Sequence, residues 1–265
     1  MRKFMGKQDH LAVIAACQAA KAAGADDTLL RERTGVYLCV GYIPFDRADI
    51  EPLSRNSTRD GQFSMELYST VALQQVNPLL TFRCLPNMPI FHVSLNLGIQ
   101  GPYFITYPGP GQFYLALQEA LAALQRGEID LALLGAVADQ DNFLVDWHFR
   151  RQRYSSAWTC ADAAAFLCLE ARAHAARRSA RVLGEYLSAS VEYEPHDPLK
   201  DTPIFAETLR LAGSEVPLDQ AGYLGPASLP APACWLLARG QAGELRHELR
   251  SADGIVARSD WRLLG

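Results

Sequence analysis

The sequence predicts an α/β protein made of two unequal layers of sheet and helix, and three observations carry that prediction. Residues 103–136 read as strand, glycine-bearing turn, helix and strand, the crossover unit of α/β folds. Thr34–Tyr42 (TGVYLCVGY) is β-rich and apolar on both faces, as an interior strand is. The same alternation of strand and helix signals recurs more weakly from residue 163 to the end.

Taken in order, Leu11–Ala23 is a run of small and apolar residues broken only by Gln18 and Lys21 and closed by Gly24, which predicts a buried helix. The strand at 34–42 follows. Residues 44–62, rich in Pro, Asp, Arg, Ser and Asn, predict a surface excursion, and Met65–Val76 a helix-like stretch. Tyr103–Tyr107 (YFITY) reads as a short strand that Pro108-Gly109-Pro110-Gly111 cannot continue, because proline lacks the ladder donor. Phe113, Leu117, Leu121 and Leu124 recur at helical spacing until Gly127, and Ile129–Ala136 reads as a second buried strand. Downstream the expectations are a strand at Ala163–Leu169, a helix at Ala171–Arg178, a strand at Arg181–Ser190, a helix at Ile204–Ala212 and a brief strand at Ala221–Leu224. A loop at 226–233 (PASLPAPA) and a β-hairpin over Leu245–Leu264 complete the reading.

Composition sets the boundaries of function. Hydrophobic residues at 49% and charged residues at 20% exclude disorder, collagen and coiled coil. A net charge of −4 argues against a general nucleic-acid binder. No window supplies the roughly 18 uncharged apolar residues of a membrane span, and the polar opening MRKFMGKQDH does not read as a signal peptide. The six cysteines lie mostly in apolar runs without paired C-x-x-C spacing, which predicts reduced core residues of a cytoplasmic protein.

The central segment is where a family becomes recognisable. NPLLTFRCLPNM (77–88) and LNLGIQGP (95–102) resemble the approach to the nucleophile in β-ketoacyl-ACP synthases, where an Asn-Met pair (here Asn87 and Met88) and a Gly-Pro precede the strand that runs into the catalytic cysteine. ALQEALAALQRGEIDLALLGA (116–136) resembles that family's nucleophile helix and following strand, and AAAFLCLEARAHAARRSARVLGEY (163–186) the opening of its second half. The resemblance covers about two-thirds of the chain. It implies a thiolase-like layered α/β/α fold with a reduced second half, residues 1–160 forming the N-terminal-like half and 161–265 a shortened C-terminal half of one unit.

The catalytic positions can then be compared one at a time. Counting without a gap from Gly101-Pro102 to Ala116, the family's cysteine falls on Pro110, which offers neither a nucleophile nor a backbone donor for an oxyanion. No neighbouring cysteine replaces it, since Cys84 and Cys160 belong to other elements. GYLGPASLPAP (222–232) resembles the strand and loop of the first histidine, whose position falls on Ala227. The segment bearing the family's lysine and second histidine is missing, and its glycine-rich loop survives as Asp253-Gly254 within SADGIVARSDWRL. No opening strand precedes the first helix.

Other reactive groups have plainer roles. The six histidines show no metal-ligand spacing, so no metal is expected. Asp139, Asp141 and Asp146 near His148 read as loop-capping residues, Ser64, Ser94 and Ser228 lack a nucleophile-elbow context, and PGPG is not a phosphate loop. Arg150, Arg151 and Arg153, with Arg172, Arg177, Arg178 and Arg181, read as solvated surface before they read as a docking site for an acidic carrier.

Cysteine-less members of this family resemble chain-length factors, inactive subunits that pair with an active ketosynthase. The resemblance therefore implies a non-catalytic, cytoplasmic subunit of a type II polyketide, aryl-polyene or fatty-acid-like system. It implies no cofactor, no nucleic acid, an active ketosynthase as partner, and an acyl carrier protein reached through that partner. The pairing surface would comprise Tyr103, Phe104, Ile105, Thr106 and Tyr107, with Phe113, Asn87 and Met88 beside them. Two alternatives stay open: a malonyl-ACP decarboxylase or other atypical acyl-processing enzyme, for which Gln112 is the residue of interest, and a homodimeric acyl-binding or scaffold protein.

Overall fold

The computed structural model describes residues 4–43, 45–151, 159–194, 205–218, 222–251 and 254–265. Its first sheet is centred on β1 (Thr34–Val40), buried along its whole length. β4 (Tyr103–Thr106) and β5 (Leu131–Ala138) run parallel to it on either side, and β6 (Ala163–Glu170) lies antiparallel beyond β5, giving the order β4-β1-β5-β6. The alternation of side chains along these strands sorts them between two cores. Val36, Leu38, Leu131 and Leu133 join α1 (Lys7–Ala22) and α5 (Met88–Leu97) on one face. Tyr37, Cys39, Ala132 and Leu134 join α6 (Pro110–Gln125) on the other. Ala12, Ala16 and Ala20, spaced four apart, form the buried stripe of α1 and let it lie close against the sheet. Gly135 serves the same purpose within β5: a Cβ there would stand 2.5 Å from the ring of Phe166 on β6.

The second sheet is antiparallel, in the order β7-β11-β10-β8-β9, from β7 (Gly184–Tyr193), β8 (Ala206–Leu211), β9 (Ser214–Glu215), β10 (Ala242–Arg250) and β11 (Ile255–Leu264). Leu209, Leu245, Leu249, Ala257 and Trp261 turn inward to a core shared with α6 and α9 (Pro230–Ala238). The opposite face carries cross-strand ion pairs: Arg246–Asp260 at 2.7 Å, Arg262–Glu185 at 3.1 Å and Arg258–Glu248. A face lined by charge pairs has no apolar area that needs a further helical layer. The layers therefore run α1/α5, first sheet, α6/α9, second sheet.

Several expectations require correction. Residues 204–212 were expected as a helix, and β8 occupies 206–211. Its Ala, Glu and Leu favour helix locally, but Glu207, Leu209 and Leu211 alternate in period two, and β10 supplies ladder partners from Leu245 to Arg250. Ala212 and Gly213, both with positive φ (50° and 82°), close the β8–β9 hairpin. The loop expected at 226–233 is instead a 3-10 turn (Gly225–Ala227) followed by α9, whose Pro230 sits in the first turn, where a missing N–H costs nothing. The surface excursion at 44–62 contains α2 (Arg47–Asn56), with no buried residue, and the ribbon β2–β3 (Thr58–Arg59, Gln62–Phe63). The helix-like stretch after it divides into α3 (Met65–Leu67), a π-helical turn (Tyr68–Ala72) and a 3-10 turn (Leu73–Gln75). The strand expected at 221–224 reduces, among the described residues, to one bridge between Cys160 and Tyr223. The elements not yet placed are α4 (Leu80–Cys84), α7 (Phe143–Arg151) and α8 (Arg172–Arg177).

Candidate functional site

The candidate site is the turn where β4 runs into α6. Thr106 ends the strand, the Tyr107–Pro108 bond is cis, and Gly109, in extended conformation, caps the helix whose first residue is Pro110. Proline suits that position because an N–H there has no helical partner and the fixed φ is already helical. Thr106 Oγ1 donates to the Gln112 carbonyl at 2.8 Å, tying the strand end to the first helical turn. Pro110 and Gly111 are buried. A Cβ on Gly111 would lie 2.7 Å from Ser251 Oγ and 2.8 Å from Ile255 Cβ, so the second sheet abuts this turn directly.

The 3-10 turn that carries Ala227 packs against α6 and the ends of β1 and β5. Ala227 is itself fully buried. The fold thus brings the elements bearing Pro110 and Ala227 together, and between them they offer a pyrrolidine ring and a methyl group. Neither can take an acyl group or polarise a thioester.

The sequence reading passed over one thiol. Cys39, at the end of β1, lies with Sγ 3.5 Å from the Gly109 carbonyl. It is fully buried. The approach depends on β1 pairing with β4, where Leu38 stands beside Ile105, so nothing in the chain around residue 110 signals it. None of the six cysteines is joined in a disulfide, and burial pushes the thiols of Cys168 up to about 12 and Cys234 to about 11.

The proposed pairing residues divide by exposure. β4 is an edge strand; Tyr103 is 69% exposed, Phe104 36% and Tyr107 38%. Val36 N–H donates to the Pro102 carbonyl at 3.0 Å. By the alternation of a parallel ladder, the backbone groups of Phe104 then face β1, and those of Tyr103 and Ile105 face the open edge. Asn87 is exposed at the start of α5. Thr106, Phe113 and Met88 turn inward, and Phe113 at 1% exposure supports the strand from the chain's own core rather than facing outward. Sequence reasoning missed Phe91 and Leu95, which stand 51% and 45% exposed on α5. An apolar pair at i, i+4 on a helix whose buried face is already supplied by Ile90, His92 and Val93 was the available signal.

Of the acidic residues near His148, Asp139 has a structural partner in Lys7. Lys7 Nζ lies 3.1 Å from Asp139 and 2.6 Å from Asp162, and Asp162 accepts from the backbone of Gln140 and Asp141. Burial holds the Asp139 carboxyl above its ordinary range despite Lys7. Burial opposes ionisation of Asp162 too, but Lys7 and those two N–H donors outweigh it and hold its carboxyl below that range. Asn142 Oδ1 accepts from Leu144 and Val145 at the start of α7, and Tyr42 Oη lies 2.8 Å from His148 Nε2. Among the cationic residues, Arg178 is bound to Glu170 and to the Ala23 carbonyl. Arg153 and the side chains of Arg150 and Arg151 lie outside the described residues. Among the described residues, no group of His, Cys, Asp and Glu could hold a metal ion, and no helix is long and apolar enough to cross a membrane.

Comparison with known proteins agrees with this geometry. The family model for the Beta-ketoacyl synthase, N-terminal domain, matches residues 1–166. A type II polyketide synthase acyl-carrier protein in complex with its ketosynthase (AntDE:AntF) superposes with a TM-score of 0.73 at 15% identity, over 99% of this chain and 83% of that one. The ishigamide ketosynthase/chain length factor gives 0.70 at 16% identity, over 99% and 82%. A β-ketoacyl synthase from Burkholderia phymatum STM815 gives 0.57 at 19% identity, over 72% and 48%. At these identities the structural likeness establishes the thiolase-like ketosynthase fold.

Proposed function

Since the chain belongs to the β-ketoacyl synthase family, we propose that it is a non-catalytic ketosynthase-like subunit that pairs with an active β-ketoacyl synthase and supports chain elongation in a polyketide or polyene system. One observation carries this reading. Where β4 enters α6, the position assigned to the family's nucleophile is a buried proline at the first residue of the helix. Condensation needs a thiolate there and an imidazole opposite it, and Pro110 and Ala227 supply neither.

The edge strand supports the pairing. Among the described residues, β4 has one row of backbone donors and acceptors without a neighbouring strand in its sheet, with Tyr103, Phe104 and Tyr107 exposed along it. Open edges of this kind are usually covered or blunted by charge, and this one is aromatic. The ketosynthase/chain length factor among the similar structures is an assembly of the proposed kind. In this reading residues 1–160 and 161–265 act as one unit, located in the cytoplasm, and the acyl carrier protein is met through the partner. The decarboxylase alternative gains no support from the site, since Ala227 holds the assigned histidine position and His247 on β10 is engaged by Tyr114 and Glu207.

Co-expression with an active ketosynthase of the same gene neighbourhood, followed by size-exclusion chromatography, tests the proposal. A stable 1:1 complex is the expected result. Two chains that elute separately, with this one a well-behaved homodimer, would favour the scaffold reading instead.

A further inference from the structure

One turn beyond Pro110, α6 carries Tyr114, whose hydroxyl lies 2.6 Å from His247 Nδ1 on β10 and 3.0 Å from Ser259 Oγ on β11. His247 Nε2 lies 2.7 Å from Glu207 Oε1 on β8, and Trp261 Nε1–H donates to Ser259 Oγ at 2.9 Å. The side chains of His247 and Glu207 are 1% and 2% exposed, and Tyr114 and Ser259 are wholly buried. Five polar side chains from four elements thus meet in the core where α6 packs on the second sheet.

Donor and acceptor chemistry orders this cluster. An indole N–H can only donate, so Ser259 Oγ accepts from Trp261. The Ser259 hydroxyl is then directed to Tyr114, the Tyr114 hydroxyl to His247 Nδ1, and His247 Nε2–H to the Glu207 carboxylate. In either arrangement that protonates Nδ1, the imidazolium or the Nδ1–H tautomer, Tyr114 must turn its proton back toward Ser259. The Ser259 hydroxyl then has no acceptor within the cluster, which in a buried site costs most of a desolvated hydrogen bond. Burial pushes the Tyr114 phenol above its ordinary range, which keeps it a donor.

We propose that Trp261, Ser259, Tyr114, His247 and Glu207 form a one-way donor relay that pins the first turns of α6 to the second sheet, with His247 held as the neutral Nε2–H tautomer. These are positioning residues. Tyr114 sits on the same helical face as Pro110, so the relay fixes the turn that bears position 110 against β8, β10 and β11. This inference concerns the chain's own architecture and does not rest on the proposed partner.

The test uses the full chain with ¹⁵N-labelled histidine. The expected spectrum has His247 Nδ1 as an unprotonated acceptor, Nε2 protonated, and the Tyr114 hydroxyl proton exchanging slowly with water. An imidazolium or an Nδ1–H tautomer at neutral pH overturns the relay. Tyr114→Phe and Glu207→Leu, which act on opposite sides of the imidazole, should each lower the folding equilibrium constant about tenfold. Together they should do little more than the larger single change, because either one breaks the same chain. Effects that simply multiply would mean independent packing contributions and overturn the proposal. Glu207→Gln keeps an acceptor oxygen and should preserve the His247 tautomer, a readout that stands even if Glu207→Leu does not fold; a changed tautomer in that variant also counts against the relay.

Discussion

Asp9 and His92 face each other across the contact between α1 and α5, with His92 Nε2 3.9 Å from Asp9 Oδ2 and both side chains almost fully buried. Among the described residues, neither ring nitrogen of His92 has a hydrogen-bond partner, and the Asp9 carboxylate accepts from the Gly6 N–H at 2.7 Å. Burial is the main influence on both, raising the Asp9 carboxyl from 3.8 to about 6 and lowering the His92 imidazole below its ordinary value.

A pH-dependent stability follows. The folded chain binds the Asp9 proton more tightly than the unfolded chain does, so Asp9 contributes most below pH 4, and that contribution is lost as pH rises through about 6. A shift of this size corresponds to about 3 kcal/mol. His92 acts in the opposite sense, since its neutral form is favoured on folding and acidification below its ordinary range destabilises. Asp9→Asn keeps an acceptor for Gly6 and should raise stability at pH 7.5 by about 1–3 kcal/mol, with little effect at pH 4. Urea denaturation across pH 4–7.5 checks this. Parallel profiles for the two proteins would rule the mechanism out.

The absence of a nucleophile at position 110 predicts that the purified chain forms no acyl adduct. Incubation with acyl-ACP or acyl-CoA followed by intact mass spectrometry should leave its mass unchanged. A stoichiometric adduct on any cysteine, and on Cys39 above all given its 3.5 Å approach to Gly109, would return the chain to the enzymes.

Restoring the thiol should not restore the reaction. Pro110→Cys places sulfur at the start of α6, where it would have the helix N-terminus to favour a thiolate. The 3-10 turn packed on α6 would still offer only the methyl of Ala227 at the assigned histidine position, and Ser251 and Ile255 would still close on the adjacent Gly111. Condensation should stay more than about a hundredfold below that of an active ketosynthase, the usual worth of a missing acid–base group. Turnover at the normal rate, measured as malonyl-ACP-dependent product, would mean that another residue supplies that group.

Pairing through β4 predicts variants that fold but do not assemble. The Ile105 N–H lies on the open edge, so Ile105→Pro removes a donor meant for a partner while sparing the ladder to β1. Phe104→Asp adds a charge that would be buried unpaired in a complex. Both should cut the yield of co-purified ketosynthase at least tenfold, with circular dichroism unchanged. Wild-type yields from folded variants would place the interface elsewhere.

The sequence by itself determined the first sheet and the helices α1 and α6 that pack on it, but not α5. In β1 and β5 every position is apolar or small, and the local preference for strand agrees with burial on both faces. The motif order around residues 77–136 was equally legible, and with it the family and the proline at the helix start. Where local preference and tertiary demand diverged, only the fold decided. Residues 206–211 became a strand because β10 lies alongside, and Pro230 and Pro232 became part of α9 because β6 and β10 supply a surface to pack on. Tertiary structure alone also placed Cys39 beside Gly109, seated Phe113 inward, and joined Tyr114 to His247 across 133 residues of chain. Such contacts depend on which elements become neighbours, a long-range packing outcome that no short window of sequence encodes.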